Sequence, residues 1–234
     1  MTISLIHFNP ETGTSASITA TGGVSVGGYV NHSWRGLGGC ATQGLFTNPW
    51  YAENAKQLLT EGYDSSAVIE RLKSEDAGFE QRQCMVMDKH GTAAFIHGNE
   101  NIPVVGSVAF PHIAVAGNML ENESVLHSFA DSFIRAVSTN PEQVREHNAV
   151  PCYHKDYEQV LPEALIAALE DALGSGGDKR GTYSASLRIE SLSQAPIDIR
   201  VDWSDDSLIA DMRKVLAHVR SDSFQSFLSQ LPTA

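Results

Sequence analysis

Thr2 carries a hydroxyl, and removal of Met1 would give the same residue a free α-amine. Together these make a nucleophile and a general base in one amino acid. A free α-amine has a pKa of about 7.7–8.0, so much of it accepts a proton near neutrality. Threonine activated by its own N-terminal amine is an established form of nucleophilic catalysis. With Met1 attached, that nitrogen is a peptide N–H and cannot act as a base. A small second residue favours removal of Met1. Thr2 also opens the run Thr2-Ile3-Ser4-Leu5-Ile6-His7-Phe8, where a β-branched residue is at home in a strand with no chemistry attached.

Other chemical patterns are weaker. Gly36-Leu37-Gly38-Gly39-Cys40-Ala41 has the spacing G-x-G-x-x-A, but Gly44 and Pro49 interrupt any following helix, which argues against a dinucleotide site. No phosphate-cradling G-x-x-x-x-G-K-[ST] run occurs. His147, Cys152 and His154 match no standard zinc spacing, so no metal and no cofactor are expected. Cys40 has no identifiable partner base. The three cysteines, Cys40, Cys84 and Cys152, are odd in number and widely spaced, which fits reduced thiols better than a disulfide framework.

Sixteen basic against 28 acidic residues give a net charge of −12, which repels phosphate backbones and argues against nucleic acid as a partner. No polybasic cluster addresses an anionic membrane surface. No run of about 18 apolar residues and no signal-peptide pattern occur, so a cytoplasmic protein is expected.

The elements that must position Thr2 follow from local pattern. Residues 2–8 and 14–21 read as a hairpin around Asn9-Pro10-Glu11-Thr12-Gly13. Residues 22–28 hold four glycines, too many for a regular element, and residues 36–43 read as a short strand. A helix is expected from Asn48 as N-cap with Pro49 at its first position, ending at Gly62. A second follows Asp64, with Val68, Ile69 and Leu72 as its stripe. Residues 82–87 and 92–97 form a second hairpin, and 111–117 a buried strand. Helices are expected over 122–137, 161–173 and 207–219, the last capped by Asp205 or Asp206. Strands are expected over 183–190 and 197–201. Residues 139–156 are irregular, with a short helix starting at Asn140-Pro141. Hairpins and blocks of helices predict an α+β fold with antiparallel strands, in one domain spanning residues 1–234.

In this order the segments resemble the DUF1028 family. The resemblance rests on Thr2-Ile3-Ser4, Ala41-Thr42-Gln43, Asn48-Pro49-Trp50-Tyr51, Ala116-Gly117-Asn118-Met119-Leu120, Asp198-Ile199-Arg200-Val201-Asp202 and, most specifically, Gly176-Gly177-Asp178-Lys179-Arg180-Gly181. It implies a four-layer αββα sandwich of the N-terminal-nucleophile (Ntn) hydrolase type, two antiparallel sheets flanked by helices. Against that pattern residues 139–156 look like an insertion. It further implies that Thr2 occupies the nucleophile position of enzymes that cleave amide (C–N) bonds.

Such an enzyme needs oxyanion donors and a substrate clamp beside the nucleophile. Asn118, after a buried strand and Gly117, is the expected oxyanion donor through its side-chain N–H₂, although an asparagine there also suits a turn. Asp178 is expected to orient the Thr2 amine, and Lys179 or Arg180 to clamp a substrate carboxylate. A solvated turn with a local ion pair is the plainer reading of those three residues. Thr42, Gln43 and Asn48 are expected to line the same pocket. The reading is therefore an amide hydrolase acting on a small-molecule substrate, in a chain expected to form a homo-oligomer. The alternatives are a non-catalytic metabolite-binding protein or an oligomeric structural subunit on the same fold.

Overall fold

The computed structural model describes residues 2–177 and 180–232. Strands β1 (Thr2–Phe8) and β2 (Ser15–Thr21) form the expected hairpin, and every residue of both is buried. Asn9 closes the turn twice: its carbonyl accepts from Gly13 N at 2.9 Å, and its Oδ1 accepts from Glu11 N at 3.0 Å. Gly13 supplies the left-handed conformation this turn needs, with φ +72°.

Next come β3 (Asn31–Trp34), β4 (Gly38–Gly44) and β5 (Arg82–Asp88). Then come β6 (Ala93–His97), β7 (Gly106–Phe110) and β8 (Ile113–Asn118), and later β9 (Ser184–Glu190) and β10 (Ile197–Val201). They assemble into a six-stranded sheet, β10-β9-β2-β1-β8-β7, and a four-stranded sheet, β3-β4-β5-β6. Every pairing is antiparallel.

Helices α1 (Tyr51–Thr60) and α2 (Ser65–Glu75) cover the four-stranded sheet, where Tyr51, Ala55, Val68 and Leu72 pack against Cys40, Cys84 and Val86. Helices α3 (Ser124–Val137), α4 (Pro141–His147), α5 (Leu161–Gly174), α6 (Leu208–Val219) and α7 (Asp222–Leu228) follow in the second half. α3, α5 and α6 cover the larger sheet, with Phe129 and Phe133 of α3 fully buried against Ile3 and Leu5. Truncating either phenylalanine to alanine is worth about 3–5 kcal/mol. The result is an α+β sandwich of four layers, helix–sheet–sheet–helix.

Two-residue periodicity divides β1 between the layers. Ile3 and Leu5 face the helices, whereas Ile6 and Phe8 face the other sheet, where they meet Ala41, Met85 and Met87. Thr2 and Ser4 share the inter-sheet face with Ile6 and Phe8. The space between the sheets is thus apolar at one end and polar at the end where β1 starts.

Several expectations need correction. α1 begins at Tyr51 rather than at Pro49, because Asn48 makes a local turn, with Oδ1 accepting from Trp50 N at 3.1 Å. Neither Asp205 nor Asp206 caps α6; Ser207 stands at that position. Strands β3 and β7 and helix α7 are additions to the expected elements. Residues 139–156 include α4 and are tied back by a bridge between Ser138 and Tyr153. Among the described residues, no helix is long and apolar enough to cross a membrane.

Candidate active site

Thr2 lies at the first position of a central strand, opposite Thr21 of β2 on one side and Asn118 of β8 on the other. Its hydroxyl is 3.1 Å from Thr21 Oγ1. Thr2 is only 9% exposed, and its exposed part faces a cavity of about 420 Å³ at the open end of the inter-sheet space. That volume suits a small molecule. Val26, Tyr29, Val30, Leu45 and Phe46 supply apolar wall, and Arg180 is the one charged side chain among the described lining residues.

The wall formed by residues 44–47 is fixed by its neighbours. Gly44 has φ +126°, and a Cβ there would sit 2.6 Å from Gln81 O, so only glycine fits. Beyond it, Leu45 N donates to Asn101 Oδ1 at 2.8 Å, and Arg82 Nη1 donates to Phe46 O at 2.6 Å.

Beneath Thr2 runs a chain of buried side-chain amides. Ser4 Oγ donates to Gln43 Oε1 at 2.6 Å, and Gln43 Nε2 donates to Gln83 Oε1 at 2.7 Å. Gln43 Nε2 also lies 3.3 Å from the carbonyl oxygens of Thr2 and Ala116, both in the opposite sheet. Gln83 Nε2 donates to Gly117 O at 2.8 Å and to Gly106 O at 3.1 Å. Asn118 Nδ2 donates to Gln83 Oε1 at 3.0 Å. Next to Gln83 stands His97, whose pKa is lowered by burial, which keeps the ring neutral at physiological pH.

The fixed carbonyls orient Gln83, and Gln83 in turn orients Asn118. One N–H of Asn118 is thereby given to Gln83, while Asn118 Oδ1 is buried and has no hydrogen-bond partner. The residue after it, Met119, also lines the cavity and has φ +53°, an uncommon conformation for a side chain without a local polar group. Such outliers concentrate at functional sites.

The expected site residues divide clearly. Thr2, Gln43, Asn118 and Arg180 border the cavity together. Asp178 and Lys179 lie outside the described residues. Thr42 and Asn48 are not among the lining residues. Alternation along β4 turns Thr42 to the helix side, where its Oγ1 donates to Asn48 O at 3.0 Å and meets Thr47 Oγ1 at 3.0 Å. It braces the cavity wall from behind. Asn48 Nδ2 donates to Asp76 Oδ2 at 3.0 Å. Burial alone would raise the Asp76 pKa, but donors from Asn48, Arg82, Gly78 N and Tyr51 outweigh it and hold the carboxyl well below the usual range. That cluster anchors α1 and does not reach the cavity.

Gln83 and Thr21 were missed by sequence reasoning. A signal for Gln83 existed: it is a lone amide in the otherwise apolar run Gln83-Cys84-Met85-Val86-Met87, and a buried amide needs partners.

The profile of the family of unknown function DUF1028 matches residues 2–211. The chain belongs to the DUF1028 family. A crystal structure of a DUF1028 protein from Silicibacter pomeroyi is 28% identical, with a TM-score of 0.84 over 99% of this chain and 92% of that one. The two DUF1028 proteins thus share the whole fold. Anbu (ancestral beta-subunit) from Yersinia bercovieri aligns over 100% of this chain and 99% of its own, at 11% identity and a TM-score of 0.38. A score that low carries no argument about fold or function. No curated protein matches the sequence.

Proposed function

We propose that this DUF1028 protein is an N-terminal-nucleophile hydrolase that cleaves an amide bond of a small substrate after removal of Met1. One observation carries the reading: the Thr2 hydroxyl stands at the end of a rigid central strand, beside a cavity that also takes in Asn118 and Arg180. A nucleophile on a central strand is held in place by hydrogen-bonded neighbours on both sides, as efficient attack requires.

In this mechanism the Thr2 α-amine accepts the proton of Oγ1 as Oγ1 bonds to the substrate carbonyl carbon. The carbonyl oxygen becomes an oxyanion, to which Asn118 offers the N–H not given to Gln83. The amine then passes its proton to the leaving nitrogen, the C–N bond breaks, and an ester on Thr2 remains. Water, deprotonated by the same amine, attacks that ester; the Thr2 oxygen leaves and regains its proton. Asp178 is assigned the orientation of the amine, and Lys179 and Arg180 the binding of a substrate carboxylate. No cofactor enters the scheme.

The test has two parts. Intact mass of the protein reports whether the chain starts at Thr2. A panel of small amides, assayed for released amine with Thr2→Ala as control, then reports turnover. Activity that persists in Thr2→Ala removes Thr2 from the mechanism, and a chain that retains Met1 removes the base.

A further inference from the structure

Asn118 Oδ1 is a strong acceptor, buried at the cavity beside Thr2, with no hydrogen-bond partner. A buried polar atom in that state calls for a ligand or a water. Exchanging the oxygen and nitrogen of the amide does not relieve it. The nitrogen of Asn118 is required by Gln83 Oε1, and Gln83 cannot turn round without losing Gly117 O and Gly106 O. Gln43 Nε2 pulls on the same Gln83 oxygen at 2.7 Å. The bond to Gln83 uses one N–H of Asn118, so its other N–H and its unpartnered Oδ1 remain for a ligand in the cavity that Asn118 lines. Backbone carbonyls therefore dictate, through Gln83, that the Thr2 end of the cavity offers a hydrogen-bond acceptor.

We infer that Asn118 Oδ1 receives an N–H of the substrate, and that the substrate is a small carboxylate bearing an uncharged primary carboxamide at its other end. The donor requirement comes from Asn118. The carboxylate comes from Arg180, the one charge among the described lining residues in a chain of net charge −12. The wall from Val26, Val30 and Leu45 suits a short aliphatic spacer. A primary amide carries a donor and an acceptor on one edge, and a substrate carboxamide presents the complementary edge to Asn118. Recognition of the carboxamide stands without the hydrolase reading, and only the chemistry after binding rests on it: the carboxamide plus water yields a dicarboxylate and ammonia.

The inference is tested by binding, which requires no turnover. Succinamate and levulinate differ only in carrying –NH₂ or –CH₃ on the same carbonyl. Titration calorimetry on the purified full chain carrying Thr2→Ala, which cannot turn over the amide, should show succinamate bound about tenfold or more tightly than levulinate, because the analogue leaves the buried acceptor unpaired. In an Asn118→Leu background, checked for folding by its thermal melt, the preference should fall to near unity. Equal affinities in the Asn118-containing chain, or no binding of either compound, overturn the inference without any variant at that position. A preference that survives Asn118→Leu also overturns it. Ammonia release from succinamate by the chain starting at Thr2 is measured separately. A binding preference with no release sustains the donor rule and removes the hydrolase reading; release of amines from other amides with no such preference does the reverse.

Discussion

Gln43 and Gln83 face each other across β4 and β5 and are joined side chain to side chain, Gln43 Nε2 donating to Gln83 Oε1 at 2.7 Å. Each also reaches the opposite sheet, Gln43 to the carbonyls of Thr2 and Ala116 and Gln83 to those of Gly106 and Gly117. The pair therefore stitches the two sheets together at the end where the apolar packing of Ile6, Phe8 and Met85 gives way to the cavity. A purely hydrophobic contact there would hold the sheets but would leave Asn118 without orientation.

Gln83→Leu is expected to destabilise the fold by about 2 kcal/mol or more, because it takes the side-chain acceptor from Asn118 Nδ2, the shortest of its bonds from Gln43 Nε2, and the side-chain donor from two carbonyls at once. Urea denaturation measures this. A loss below about 0.5 kcal/mol would mean that water replaces the glutamine and that the amide chain is not structural.

His7 gives the fold an acid limit. It is fully buried, with Nδ1 3.0 Å from His112 O and Nε2 2.9 Å from Tyr157 Oη, and burial depresses its pKa to about 3. The unfolded chain binds a proton near pH 6.5 and the folded chain does not, so the stability from His7 is complete above pH 6.5 and is lost as pH falls toward 3. At pH 4.5 this amounts to about 2–3 kcal/mol. Stability measured from pH 7 down to about 4.5 should fall less steeply in His7→Phe than in the unaltered protein; parallel curves would reject His7 as the source.

Much of the fold was legible because many elements carry their own signals. The first hairpin is bounded by turn residues, α2 by Asp64, whose Oδ1 accepts from Ala67 N at 2.8 Å, and α3 by a long apolar stripe. The edge strands β3 and β7 carry none: Asn31-His32-Ser33-Trp34 is a strand because β4 lies beside it, and partnership of that kind is not written in a four-residue window. The site divides in the same way. Thr2 is visible from its position in the chain, whereas Thr42 and Gln43 look equivalent until strand alternation sends them to opposite faces. Gln83 matters only through carbonyls that other strands bring to it.

The reassignment of Asn48 is itself testable. Its bond to Asp76, shared with Arg82 and Tyr51, belongs to the anchor of α1. Asn48→Ala should cost about 1 kcal/mol of stability and leave the affinity for small amides unchanged. A selective loss of affinity would return Asn48 to the cavity.

Arg180 is exposed at the cavity, so its contribution to binding a carboxylate is screened by solvent. A desolvated charge-assisted pair would be worth about 1.5–3 kcal/mol; at an exposed position about 1 kcal/mol is the reasonable expectation, or roughly fivefold in affinity. Arg180→Met should therefore raise the KM for succinamate by about fivefold with kcat little changed, since the carboxylate lies away from the reacting carbon. Propionamide, which has the same amide and no charge, should be unaffected. Added salt should weaken succinamate binding by the unaltered protein more than by the variant, because screening acts on a charge the variant lacks. An equal rise in KM for both compounds would mean that Arg180 shapes the cavity wall and does not read the carboxylate.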